Sequence, residues 1–192
     1  LPLHDALPIC LEQLPMVSCD NRAGGEMAAR ELLVCGCCHP VIAGTWSDPW
    51  MPAHERYTAF CDVMCQAGAD YGTLESGECG PQVDYAALSQ LLFRRFPQVD
   101  GVFCTSDHVA AYILQEAARI GRRVPEDVRV IGFNDNSLAA MLNPPLTSVR
   151  QPLAEMCEAA VDLLVRQIRG EDVPPETVLP VTLHRRESSR AT

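Results

Sequence analysis

Residues 101 to 133 constrain the fold more than any other stretch of this chain. Gly101-Val102-Phe103-Cys104-Thr105 is a short apolar run, the pattern of a strand buried on both faces. Ser106 or Asp107 then caps a helix whose Val109, Ala110, Ile113, Leu114, Ala117 and Ile120 share one stripe. Gly121 ends that helix and Pro125 blocks its continuation, before Val128 to Phe133 forms a second buried run. Strand, helix and strand joined by tight loops require a right-handed crossover within a parallel sheet.

The same alternation runs through the rest of the sequence. Pro15 to Ser18 and Val41 to Gly44 read as strands on either side of a helix from about Gly24 to Cys35, stopped by Gly36. A Trp- and Pro-rich loop leads into a helix near His54 to Ala67, and a short strand follows near Tyr71 to Glu75. Asp84 is the natural cap of a helix carrying Tyr85, Leu88, Leu91 and Leu92 on one face. After Thr147-Ser148-Val149, a long helix presents Leu153, Met156, Cys157, Ala160, Val161, Leu164 and Ile168 as one stripe and stops at Gly170. Val178 to Arg186 is expected to be extended. Repeated βα units predict an α/β fold with open, parallel, doubly wound sheets, whose ligands bind beyond the carboxyl ends of the strands. The candidate site loops are therefore residues 45–55, 75–83, 105–108 and 134–137.

Composition narrows the function. The 192 residues suffice for one domain or two small lobes, and 47% hydrophobic residues supply a core. A net charge of -10 carries no basic stripe of the kind that grips nucleic acid. No apolar run is long enough to span a bilayer, so no membrane partner is expected, and no secretory signal is visible. The ten cysteines form no paired ligand knuckles. Small, buried, reduced core residues describe them better than a zinc site or disulfides. There is no Gly-rich phosphate cradle, Walker segment or Gly-x-Ser-x-Gly turn, and His39, His54, His108 and His184 are scattered without obvious partners. The expectation is a protein that is not an enzyme and needs neither cofactor nor metal.

Gly121-Arg122-Arg123-Val124-Pro125-Glu126-Asp127-Val128-Arg129-Val130-Ile131-Gly132-Phe133-Asn134-Asp135 resembles the signature of the effector-binding domain of LacI-type repressors. Asp20-Asn21 followed by Gly24-Gly25, Phe103 to Asp107, Pro144 to Pro152, and Leu179-Pro180-Val181 with Arg185-Arg186 resemble further segments of that family, in its order. The likeness runs from Leu14 to Ser189. It implies a two-lobed periplasmic-binding-protein-like fold with an incomplete N-terminal lobe. Residues 10–36 and 151–178 would form the partial N-terminal lobe, and residues 37–150 and 181–188 the C-terminal lobe. Leu3 to Ile9 read like the translation of a sequencing adapter, so residues 1–9 are expected to be a non-native leader. The family's helix-turn-helix head is expected to be missing upstream, and operator DNA would be bound only through it. The resemblance further implies a cytoplasmic homodimer paired through the C-terminal lobe, for which the apolar run Leu138 to Leu142 offers a surface.

The implied ligand is a small molecule, a sugar or sugar derivative, which requires fixed donors and acceptors beside an aromatic wall. Arg56 begins the helix after the loop, in a segment that resembles the family's Arg-x-x-Gly-Phe with Ala59 in the Gly place. Its guanidinium would fork onto adjacent hydroxyls, unless it is a surface arginine on a solvated helix start. Asn134 stands where the family often has aspartate, which favours a neutral ligand. Asp135 is either a ligand contact or a helix cap. Ser106 and Asp107 could meet ligand hydroxyls, but they also suit a cap. Trp46 and Trp50 could stack on a sugar ring. Gln151 sits where a contact could report lobe closure. The rival reading is a periplasmic sugar-binding protein of a transporter, against which the unpaired cysteines count.

Overall fold

The computed structural model describes residues 15–44, 49, 51–76 and 83–190. Within them lie eight strands and six helices: β1 (Met16–Cys19), α1 (Asn21–Val34), β2 (Pro40–Gly44), α2 (Pro52–Gln66), β3 (Gly72–Glu75), α3 (Tyr85–Arg95), β4 (Gly101–Cys104), α4 (Asp107–Arg119), β5 (Arg129–Asn134), α5 (Ser137–Met141), β6 (Thr147–Arg150), α6 (Leu153–Ile168), β7 (Glu176–Leu179) and β8 (Thr182–His184). The leader assigned to residues 1–9 lies outside the described residues.

Two compact units emerge. The larger comprises Asn21–Gln151 and Val181–Thr192. Its six strands run in the order β3-β2-β4-β5-β6-β8, all parallel except β8, which pairs antiparallel with β6. The predicted β4-α4-β5 crossover is present, with Gly101, Val102 and Phe103 registered against Arg129, Val130 and Ile131. Every residue of β2 and β4 is buried, as continuous apolar runs demand when helices cover both faces. On one face Val41, Ala43, Leu74, Val102, Cys104 and Val130 pack with Leu88 and Leu92 of α3 and with Val109, Ile113, Leu114 and Ala117 of α4. On the other, Phe103 stacks on Phe60 of α2 at 5.7 Å between ring centroids.

α1 belongs to this unit. Residues 10–36, expected together in the other lobe, therefore divide, with Asn21 to Gly36 in the larger unit. The helix face Gly24, Gly25, Ala28, Ala29 and Leu32 is buried. A β-carbon at Gly25 would collide with the backbone of Arg56, so α1 and α2 approach as closely as backbones allow. Small residues on a helix show that something packs tightly, but not which neighbour it is.

The residues after β8 close the start of the sheet. Ser188 and Ser189 are fully buried. The Ser188 hydroxyl donates to the Val130 carbonyl and accepts from the Thr147 N–H, while the Val130 N–H donates to the Ser188 carbonyl at 2.9 Å.

The smaller unit comprises Leu1–Asp20 and Pro152–Pro180. Its described elements are α6 and a two-stranded parallel sheet, β1 with β7. The expected extended segment at 178–186 is in fact two strands, one in each sheet. α6 is amphipathic as read, but its one buried residue, Leu163, lies outside the expected stripe. Val161 is 62% exposed and Ile168 77%. No helix among the described residues is long and apolar enough to cross a membrane.

Candidate functional site

The parallel strands β2, β4, β5 and β6 end together, and their carboxyl ends gather most of the expected site residues. Arg56, in the first turns of α2, is 7% exposed. Its Nε donates to Asn21 Oδ1 at 2.9 Å and its Nη1 to the Thr105 carbonyl at 2.7 Å. The guanidinium lies over the Phe133 ring, 3.6 Å from the centroid. It is therefore a buried, fixed fork rather than a surface arginine, and the surface alternative is excluded. Close approach at the β2 end lets Thr105 sit there: Gly44, at φ 149°, faces the Thr105 side chain where any β-carbon would clash.

One residue beyond Phe133, Asn134 Oδ1 accepts from Gln151 Nε2 at 2.9 Å. The two carboxamides thus join the ends of β5 and β6. Asn134 and Asp135 both have positive φ, 111° and 53°. For residues other than glycine this conformation is costly and must be held by its surroundings.

Three of the expected residues take structural roles. Ser106 caps α4, its hydroxyl accepting from the Val109 N–H, so of the two roles weighed the structure shows the cap. Asp107 is fully buried and neither caps nor opens to solvent. Its Oδ2 accepts from the Asn136 N–H at 3.0 Å and its Oδ1 from the Ser148 hydroxyl, which ties the loop after β5 to β6. Burial pushes its carboxyl above the ordinary range, opposed by those two hydrogen bonds. Gly132 makes room for this carboxylate, since a β-carbon there would overlap it. Asp135 is not the cap of α5: Asn136 is, accepting from the Leu138 N–H. The Asp135 carboxylate, 6% exposed, instead pairs with His184 Nδ1 at 2.8 Å and Arg186 Nη1 at 2.6 Å. The Arg186 contact is an ion pair without an aligned hydrogen bond on Oδ1, and Nη1 also donates to the Leu146 carbonyl at 2.7 Å. His184 therefore has a partner that no sequence motif announces.

Trp46 and Trp50 lie outside the described residues. Asn21, Phe133 and Thr105 were not singled out as site residues. Asn21 reads as an ordinary helix start, and its burial beside Arg56 depends on a contact 35 residues away. A separate cleft of about 220 Å³, lined by His39, Tyr71, Arg95 and Phe96 among others, contains none of the expected site residues and sits where the strands begin. The carboxyl end is the better candidate because it holds fixed, buried polar groups.

Among the described residues all eight cysteines are free thiols. Burial raises the Cys104 thiol well above its usual range and pushes Cys37 up to about 12, as inert core residues require. No group of three or more His, Cys, Asp or Glu side chains among the described residues could hold a metal ion. The apolar run after Asn136 is only partly available, since Ala139 is buried while Met141 is 80% exposed.

The model of the periplasmic binding protein-like domain matches residues 29–189. The HTH-type transcriptional regulator CelR of Thermobifida fusca is 39% identical over 181 residues, covering 92% of this chain and 52% of the relative. The solved complex of the transcriptional regulator CelR with cellobiose superposes with a TM-score of 0.82 at 33% identity, covering 92% of this chain and 54% of that one. A periplasmic binding protein/LacI transcriptional regulator from Alkaliphilus metalliredigens, complexed with D-xylulofuranose, superposes with a TM-score of 0.84 at 26% identity, covering 94% and 67%. The chain spans about half the length of the curated relatives it matches.

Proposed function

Because this chain belongs to the periplasmic-binding-protein-like domain family, with LacI-type regulators among its relatives, we propose that it is the effector-sensing part of such a transcriptional regulator and that its effector is a neutral sugar. The observation that carries this reading is the buried Arg56 fork, stacked on Phe133 and hydrogen-bonded to Asn21 and Thr105. Beside it the Asn134–Gln151 carboxamide pair supplies both donors and acceptors without net charge. Such an array costs little further ordering when hydroxyls bind. Cellobiose and D-xylulofuranose, bound by the two structural relatives, belong to the same ligand class.

In this reading sugar binding shifts a closure equilibrium. Operator affinity and sugar affinity are then linked reciprocally, with DNA contacted by a helix-turn-helix outside these 192 residues. The working form is a cytoplasmic homodimer in which Met141 is a contact, and the role is binding rather than catalysis. The regulators among the relatives favour this over a transporter's binding protein.

Calorimetry of the whole gene product with cellobiose and D-xylulose tests the proposal. Arg56→Ala is expected to weaken binding roughly ten- to hundredfold, the loss of charge-assisted hydrogen bonds worth about 1.5–3 kcal/mol. Because Arg56 is buried, its removal also lowers stability, by about 1–3 kcal/mol in denaturant melts. Arg56→Lys keeps the charge and separates the two effects. An unchanged sugar affinity in a folded Arg56 variant refutes this site, and a wild type that binds no sugar of a mono- and disaccharide panel refutes the ligand class.

A further inference from the structure

The turn that displays Asn134 is held by contacts other than the Asn134–Gln151 pair. Asn134 and Asp135 are consecutive non-glycine residues at positive φ, a conformation that collapses to an ordinary one unless over-determined. Three anchors hold it. The Asp135 N–H donates to the Ser148 hydroxyl at 3.1 Å, and that hydroxyl in turn donates to Asp107. The Asn136 N–H donates to Asp107 Oδ2 at 3.0 Å. The Asp135 carboxylate pairs with His184 of β8 and with Arg186 just after it. Arg186 is itself fixed, with its Nη1 on the Leu146 carbonyl and its N–H on Thr147 Oγ1 at 2.8 Å.

We infer that Asp135, acting through His184 and Arg186, is a positioning residue that sets the Asn134–Gln151 carboxamide pair and thereby the sugar affinity without touching the sugar. The inference rests on the proposed function for its ligand, but not for its geometry. Asp135 is the only link in this turn made through a side chain to the β8 segment among the contacts described. Relaxing it frees the Asn134 backbone to leave φ 111° and carries the carboxamide off Gln151.

The test has two arms on the whole gene product. In the first, NMR follows the Gln151 side-chain amide and the exchange of the Asp135 and Asn136 N–H groups without added sugar. Asp135→Asn is expected to shift the Gln151 amide signals and to speed exchange at both N–H groups about tenfold, with the β2 and β4 amides unchanged. Unchanged Gln151 signals and exchange in a folded Asp135→Asn protein overturn the inference. In the second arm, calorimetry with cellobiose and D-xylulose is expected to show affinity about tenfold lower in Asp135→Asn, and no further loss when Arg186→Gln is added. Equal affinity in wild type and Asp135→Asn also overturns it. A wild type that binds neither sugar counts against the proposed function, while the first arm still decides the positioning role. Should Asp135→Asn not fold, His184→Ala removes one half-exposed partner and is read by the same signals at smaller amplitude.

Discussion

α4 and α6 carry apolar stripes of equal clarity, and they meet opposite fates. In α4 the residues Val109, Ala110, Ile113, Leu114 and Ala117 all disappear into the core between the sheet and α3. In α6 Leu153, Val161, Leu164 and Ile168 are exposed, and the described sheet of that unit has two strands. A helix can thus be read from its own sequence, whereas the burial of its stripe depends on how much sheet is present to receive it. The larger unit supplies six strands with helices on both faces; the smaller, among the described residues, supplies two paired strands.

The contrast can be broken by substitution in the 192-residue chain. Phe103→Ala removes a fully buried ring stacked on Phe60 and is expected to cost about 3–5 kcal/mol in urea denaturation. A cost near zero would show that the six-stranded unit is not close-packed. A pH series sharpens the picture. Burial raises the Asp107 carboxyl above its unfolded value, so the folded state holds this proton more tightly than the unfolded chain. The resulting stability is present below the unfolded carboxylate pKa and is lost as pH rises through the raised folded one. Asp107→Asn, which keeps one acceptor oxygen and obliges the Ser148 hydroxyl to accept rather than donate, is therefore expected to flatten that fall in melting temperature above about pH 4, from a lower starting stability. A melting profile identical to wild type across that range would contradict the burial of the charge. The smallest effect belongs to α6. Leu164→Ser with Ile168→Ser is expected to change stability by no more than about 0.5 kcal/mol, because Leu164 is half exposed and Ile168 largely so. A loss comparable to that of Phe103→Ala would mean that α6 is packed in solution and that the contrast fails.

What the sequence made legible follows the range of the interactions. The β4-α4-β5 unit could be read residue by residue because runs, caps and stops are local: Ser106 caps α4, Asp84 caps α3, and Gly121 and Gly170 end their helices at φ 77° and 79°. The residue types at the site were legible for the same reason, since they follow strands whose ends are predictable. Their environments were not. Asp107 looks like a cap or a ligand contact and is a buried tie to Ser148, 41 residues on. Asp135 looks like a cap and pairs with β8. The unit to which α1 belongs is not legible, because its small residues specify close packing without naming α2 as the neighbour.

The docking of Ser188 and Ser189 beneath β5 and β6 also has a consequence for the order of events on the ribosome. The strand that finishes the six-stranded sheet and the hydroxyls that seal its beginning leave the exit tunnel only after residues 152–180 of the other unit have been synthesised. The larger unit therefore cannot complete its hydrogen bonding while it is being made. Until then β6 waits as an open edge, and its final pairing is a long-range closure.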